Sequence, residues 1–474
     1  MKKTNTFKLL FLATVCCLSC SMYAAKIKAI SSDATNPILI ATFADLQAAY
    51  AASQSSAPGT TYLKFTAAIT TNAVYSFIPD ADHPVSIDAN KFFFIVANSG
   101  TLGGSLTITS DGGGGIFKIT GATITNITGG TYSFNGTNGP IFYAGSGSGI
   151  DNTLTKILLS NSTFSVPGFI VTPSITTNAH IVQFDTSNGN LFSATNCTFN
   201  MSAQGSAFKL IGPQDLILKN CTLNFAGSDA AAQTFNLAPS NAGFVAASLT
   251  VDGLALTMPV GTIFITGGSR PINTIIKDIT LNGNASSVLT APTGGSGAKK
   301  FYDFRAFTPT VSVVPGNYTS TQSVALTLAA SGVVPVDAGA ATFVYTLDGT
   351  DPVTTSLTAT PVSIGTPTTI KMAAKSADGL FLGKVYSFAY TFGTTASANL
   401  QDNDLISIFP TVVQDKVSVN KMARHIQVLD LAGKLIGNYS NAIQFDMSSI
   451  KSGVYMVKVE MADASAKTFK VVKL

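Results

Sequence analysis

The stretches FSATNCTFNM (192–201) and LILKNCTLNF (216–225) decide the fold. Each holds an alternating apolar strand, an Asn, and a second short alternating strand. Asn tolerates the left-handed backbone needed to bend sharply between two strands. The unit recurs as ILLSNSTFSV (157–166) and IIKDITLNGN (275–284), more loosely as LTVDGLALTM (249–258), and in degenerate form as TGGTYSFNG (128–136). The turn residues are read as Asn161, Asn196, Asn220, Asp252 and Asp278, separated by 35, 24, 32 and 26 residues. Periods of about 20–50 residues mark solenoid repeats. If each repeat is one coil, the Asn side chains stack into a hydrogen-bonded ladder, and Leu218, Cys221 and Leu223 point into a continuous core. Cys197 and Cys221 then occupy equivalent places in successive coils. Packing there as small hydrophobes is preferred to a disulfide, because stacked parallel strands rarely offer bridging geometry.

The composition agrees with a chain built of strands. Charged residues make up 11% of the 474 and hydrophobic residues 46%, which sets the chain apart from disordered sequences. The only Glu is Glu460, and Arg occurs only at 270, 305 and 424, so strong helix formers such as Glu and Arg are scarce. The net charge of +4 is scattered along the chain, with no basic face of the kind that binds nucleic acid. One helix is expected, in TFADLQAAYAAS (42–53), with Thr42 as N-cap and Leu46, Ala49 and Tyr50 on one face. Its expected task is to cover the open end of the first coil.

Residues of roughly 40–295, through these Asn-x-Thr-aromatic or Asn-x-Thr-Leu repeats, resemble the right-handed parallel β-helix of pectate-lyase-like and adhesin-like proteins. The alternative reading is a stack of antiparallel sandwiches. GGSGAKK (294–300) looks like a linker. Beyond it, VYTLDGTDPV (344–353) and TTIKMAAKSADGL (368–380) alternate between Asp-Gly and Pro turns, as a small sandwich does. Tyr345-Thr346, Asp348-Gly349-Thr350 and Asp351-Pro352 resemble the hairpin of the chitobiase and β-hexosaminidase C-terminal domain. That resemblance implies an accessory module in which the Asp-Gly pair is a turn device.

The last block contains Phe409-Pro410, Asp430-Leu431-Ala432-Gly433-Lys434 and Ser452-Gly453-Val454-Tyr455, and closes on a basic strand at 467–474. These resemble the C-terminal sorting domain of the type IX secretion system, with Gly433, Lys434, Gly453 and Tyr455 as its motif residues. Thr411-Val412 departs from the Asn-Pro common there. The resemblance implies the type IX machinery as a partner, and a location that is extracellular or on the outer-membrane surface. At the other end, Lys2 and Lys3 precede an apolar run (9–18) and small residues at Ala24 and Ala25, the pattern of a signal peptide. Acylation at Cys20 is the alternative to cleavage near Ala25. No transmembrane helix is expected in the mature chain.

The expected fold is all-β: a right-handed parallel β-helix followed by two small Ig-like β-sandwiches. The expected domains are a signal peptide (1–25), the β-helix with its capping helix (26–295), the chitobiase-type sandwich (307–393) and the sorting domain (405–474). A lyase or hydrolase would need clustered acids with a base. The candidates are Asp252 and Asp278, as neighbours on the turn ladder, with Arg270 in the coil between; Asp in place of a turn Asn is the ordinary explanation. Asp80 and Asp82 beside His83 in PDADHP read as a Pro-bounded turn ahead of a metal site. Neither cofactor nor metal is expected. The preferred function is a non-catalytic, adhesin-like or carbohydrate-binding surface protein; the alternative is a polysaccharide lyase or glycoside hydrolase acting in the β-helix groove.

Overall fold

The computed structural model describes residues 33–111, 115–120, 124–136, 139–144, 156–167, 179–184, 190–202, 206–210, 214–226, 233–237, 247–260, 262–269, 271–292, 294–333, 341–393, 406–462 and 465–474. The segment expected to be a signal peptide, residues 1–25, lies outside the described residues. So does Arg270.

The β-helix is present as three rows of parallel strands. In the coil around Asn196, Asn190–Thr195 precedes the corner, Thr198–Met201 follows it and Phe208–Leu210 forms the third side. Each strand pairs in parallel register with its counterparts one coil earlier and one later. Thr198 faces Thr163 and Thr222, for example, and Phe208 faces Val182 and Phe235. Parallel stacking continues past the Gly/Ser-rich stretch to a last rung, Lys299–Asp303, laid against Ile272–Leu281.

The sharp corner has the backbone cause expected for it. Asn161, Asn196 and Asn220 stand at φ 53°, 54° and 49°, in the left-handed region. Asn196 donates an Nδ2 hydrogen bond to Asn161 Oδ1 at 3.3 Å, one rung of the amide ladder. Every second residue of the flanking strands points inward. Phe164 stacks between Tyr132 (5.1 Å between ring centroids) and Phe199 (5.4 Å), while Phe117 stacks on Phe142 and Phe208 on Phe235. These rings are fully buried, so each contributes about 1.5–3 kcal/mol through burial, with about 0.5–1.5 more for each aromatic pair. Cys197 and Cys221 are buried as free thiols. The neighbouring Cys221 sulfur, and then burial, push the Cys197 thiol upward, which keeps it protonated.

The helix Phe43–Ser53 starts on a complete capping box between Thr42 and Asp45. It buries Phe43, Leu46 and Ala49 against the first coil, where Phe43 meets Tyr75 and Phe94 edge to face. Asp80 of PDADHP secures it. Its carboxylate accepts from Tyr50 Oη (3.2 Å), and its amide donates to the same oxygen (3.0 Å). His83 Nδ1 lies 3.1 Å from Asp80 Oδ1, so this cluster is a turn tied to the capping helix.

After the last rung, Phe307–Val311 pairs antiparallel with Leu326–Ala330, and Thr368–Lys375 pairs antiparallel with Thr342–Thr346 and Leu382–Phe392. The C-terminal domain is a separate compact unit. Its strands run in the order Ile408–Phe409, Lys416–Leu429, Gly453–Glu460, Ala466–Lys473, Val412–Val413, with Leu435–Asp446 also paired to Lys416–Leu429.

The corner makes a measurable demand. Asn196→Val places a β-branched residue in the left-handed region and is expected to destabilise by about 1–2 kcal/mol more than Asn196→Gly. Urea unfolding midpoints of the two variants check this.

Candidate functional site

In-register stacking turns the outward residues of each row into columns. On the row after the corner, Thr107, Thr131, Thr163, Thr198 and Thr222 lie over one another. The next outward column runs Thr109, Ser133, Ser165, Asn200, Asn224. Its amides are chained: Asn224 Nδ2 donates to Asn200 Oδ1 (2.9 Å) and Asn200 Nδ2 to Ser165 Oγ (3.2 Å). The result is an uncharged face of hydroxyls and amides, repeating at about 4.8 Å, the strand spacing.

The row before the corner carries the acids. Asp252 stands opposite Lys219 on one side and Asp278 on the other, so the two candidate carboxylates do occupy neighbouring rungs. Their expected role as corner residues is corrected. Asn196 N–H bonds to the Lys219 carbonyl, and Asn220 N–H bonds to the Asp252 carbonyl. Asp252 therefore sits one residue before the corner, and Gly253 (φ 82°) takes the left-handed position. A Cβ there would come within 2.6 Å of Asn220 Oδ1, which favours Gly. Asp278 lies within the strand Ile272–Leu281, where the register shifts against the Asp252 strand.

Asp278 does not face solvent alone. Lys384, from the first sandwich, holds its Oδ2 at 2.5 Å. One further attachment crosses to the sandwich, and a buried ion pair fixes the chain that leads into it. Asp378, in the Ser-Ala-Asp-Gly turn of the sandwich, accepts from Tyr302 Oη (2.5 Å), Lys300 Nζ (3.0 Å) and Ser376 Oγ (2.7 Å). Burial pushes this carboxylate upward, but those bonds and the Leu380 amide outweigh it and hold Asp378 far below the usual range. Arg305 is almost fully buried and grips Asp303 through two bonds, Nε–Oδ1 (2.9 Å) and Nη2–Oδ2 (2.6 Å). Its remaining donors reach the carbonyls of Ala285 (2.7 Å) and Ser287 (3.0 Å). The links to the sandwich are not readable from sequence spacing: Lys384 and Asp278 are 106 residues apart, and Asp378 and Lys300 are 78 apart.

Two clefts open where the β-helix flank meets the sandwich. The larger, about 470 Å³, is lined from one side by Lys219, Asp252 and Lys277 and from the other by Thr354 and Phe381. The smaller, about 190 Å³, surrounds the Asp278–Lys384 pair. In the sandwich itself, Asp348 Oδ1 accepts from the Thr350 amide (3.0 Å) and hydroxyl (2.6 Å), and Gly349 takes φ 78°. The Asp-Gly pair makes a turn.

In the C-terminal unit, Asp430 Oδ1 accepts from the amides of Ala432 and Lys434, both at 2.9 Å, and Gly433 adopts φ 80°. Gly433 and Lys434 thus form the turn between two long strands. Tyr455 Oη donates to the Lys451 carbonyl (2.8 Å), and its ring packs on the core holding Val457 and Val459. Thr411 accepts from the Val472 amide and Val412 pairs with Val472, so the departure from Asn-Pro still lays this segment beside the closing strand. Residues 407–473 match the family model of the secretion system C-terminal sorting domain. The chain carries a type IX sorting tail. This tail implies handling by the type IX machinery and export to the cell surface or the extracellular space. Residues 313–380 match the chitobiase/beta-hexosaminidase C-terminal domain, so a carbohydrate-related module precedes the sorting tail. The chain matches no curated protein and no solved structure.

The Asp378 attachment has a pH signature. Its folded pKa lies below the ordinary 3.8, so its contribution is fully present above that value and is lost as pH falls through the folded one. Wild-type urea midpoints should therefore drop progressively below about pH 4, and Asp378→Asn should remove part of that slope.

Proposed function

We propose that the protein is a non-catalytic, carbohydrate-binding surface protein of the adhesin-like kind, displayed or released after type IX export. The observation that carries this reading is the engagement of Asp278 by Lys384. A pair of acids on adjacent rungs suits general acid–base work only if both carboxylates reach substrate. Here one is committed to fastening the sandwich to the β-helix. The rest of the flank offers what a hydroxyl-rich polymer recognises: columns of Thr, Ser and Asn already held in place by their own ladder bonds. The module matching the chitobiase/beta-hexosaminidase C-terminal domain supports the same ligand class. The route begins with the signal peptide at the inner membrane and ends with residues 405–474 at the outer one.

Affinity electrophoresis of the purified chain in gels containing acidic or neutral polysaccharides tests the binding. Retardation without new reducing or unsaturated ends is expected. New ends, abolished by Asp252→Ala, would show a lyase or hydrolase instead. For the route, deletion of residues 451–474 removes Tyr455 and the closing strand and should leave the protein in the periplasm. Normal surface delivery of that truncation, followed by cell fractionation, would refute it.

A further inference from the structure

The larger cleft between the β-helix flank and the sandwich carries charges that its own walls do not neutralise. Lys219 is exposed and Lys277 half-buried, and neither makes an ion pair or hydrogen bond through its side chain among the described residues. Lys375 turns its ammonium to the Thr354 carbonyl (3.2 Å) at the cleft wall, with no carboxylate on it among the described residues. Lys371 is paired with Asp351 (2.7 Å) and Lys384 with Asp278. Asp252 is the one cleft-lining carboxylate without such a partner among the described residues. Two positive charges are therefore in excess. Their field crosses the cleft: Asp351 is held below its ordinary value first by Lys371, then also by Lys219 and Lys277.

The same walls are apolar between the charges. Ile217 and Ile275 line the β-helix side, and Leu380, Phe381 and Leu382 line the sandwich side. Phe381 is fixed by Tyr302, with ring centroids 4.9 Å apart. A free anion has no use for such surface. A sugar ring does, because it presents C–H faces to an aromatic or aliphatic wall and hydroxyls to an acceptor such as Asp252. A volume of about 470 Å³ is in the range of small-ligand sites.

We infer that this cleft binds acidic residues of a saccharide chain, with Lys219 and Lys277 on the carboxylates, Asp252 on hydroxyls and Phe381 against the ring face. The inference rests on the carbohydrate-binding reading above and names the class of sugar.

Calorimetric titration of the full chain with a hexameric oligoglucuronate, its fully methyl-esterified form and a neutral chito-oligosaccharide tests it. The acid form should bind at least about tenfold more tightly than its ester, and weaken as salt is raised. A Lys219→Ala/Lys277→Ala double variant should lose about tenfold in affinity for the acid, with an unchanged thermal midpoint. Equal binding of acid and ester, or an undiminished double variant, overturns the inference. So does displacement by polyglutamate at equal affinity, which would assign the cleft to an acidic peptide. Binding of the neutral sugar alone sinks the cleft and leaves the broader reading standing, whereas binding of none of the sugars sinks both.

Discussion

Everything in the β-helix follows from one constraint: parallel strands stacked in register set each side chain directly over its counterpart one coil away. Like then meets like. A ring finds a ring, a thiol finds a thiol, an amide finds an amide, and a mismatch is felt in both neighbouring coils. Phe164 between Tyr132 and Phe199 shows the apolar version of this rule, and Asn200 between Ser165 and Asn224 the polar one. Because the stacking distance is fixed by backbone hydrogen bonds, both the core and the outer faces inherit the same spacing.

The elements legible in the sequence were those whose cause is local. An Asn between two alternating strands specifies a left-handed corner, and Asn161, Asn196 and Asn220 all take it. The N-cap at Thr42 is local too, and the structure adds Asp45, three residues on, to complete its capping box. At Asp252-Gly253 the local signal was ambiguous by one position, since either residue tolerates a turn, and contact with Asn220 gives the corner to Gly. Stacking across that corner shows the assignment, because the Asn220 amide reaches the Asp252 carbonyl. The cleft was not legible. Its two walls come from residues 217–277 and 354–382, far apart in the chain, and nothing in SADGLFLGK (376–384) announces that Asp378, Phe381 and Lys384 meet the β-helix.

The junction between β-helix and sandwich mixes two kinds of contact. Arg305 and Asp303 are a buried pair whose remaining donors are satisfied by carbonyls, an arrangement in which breaking either partner leaves a charge stranded in the interior. Lys384–Asp278 and Lys300–Asp378 are partly exposed, so salt screens them and each is individually weak. Tyr302, Phe304 and Phe381 add an apolar contact. The buried lock fixes the strand that leads out of the β-helix, while the screened polar pairs and the Tyr302–Phe381 contact join the two walls of the cleft without filling the space between them.

The capped ends carry a consequence of a different order. A stack of parallel in-register strands is the geometry of a fibre, and nothing in its middle says where it should stop. One terminus is closed by Phe43, Leu46 and Ala49. At the other, past the last rung Lys299–Asp303, Arg305 turns back to the carbonyls of Ala285 and Ser287. These few side chains make the solenoid a molecule of defined length, and a cell that exports many copies of it is spared filament growth from their open edges.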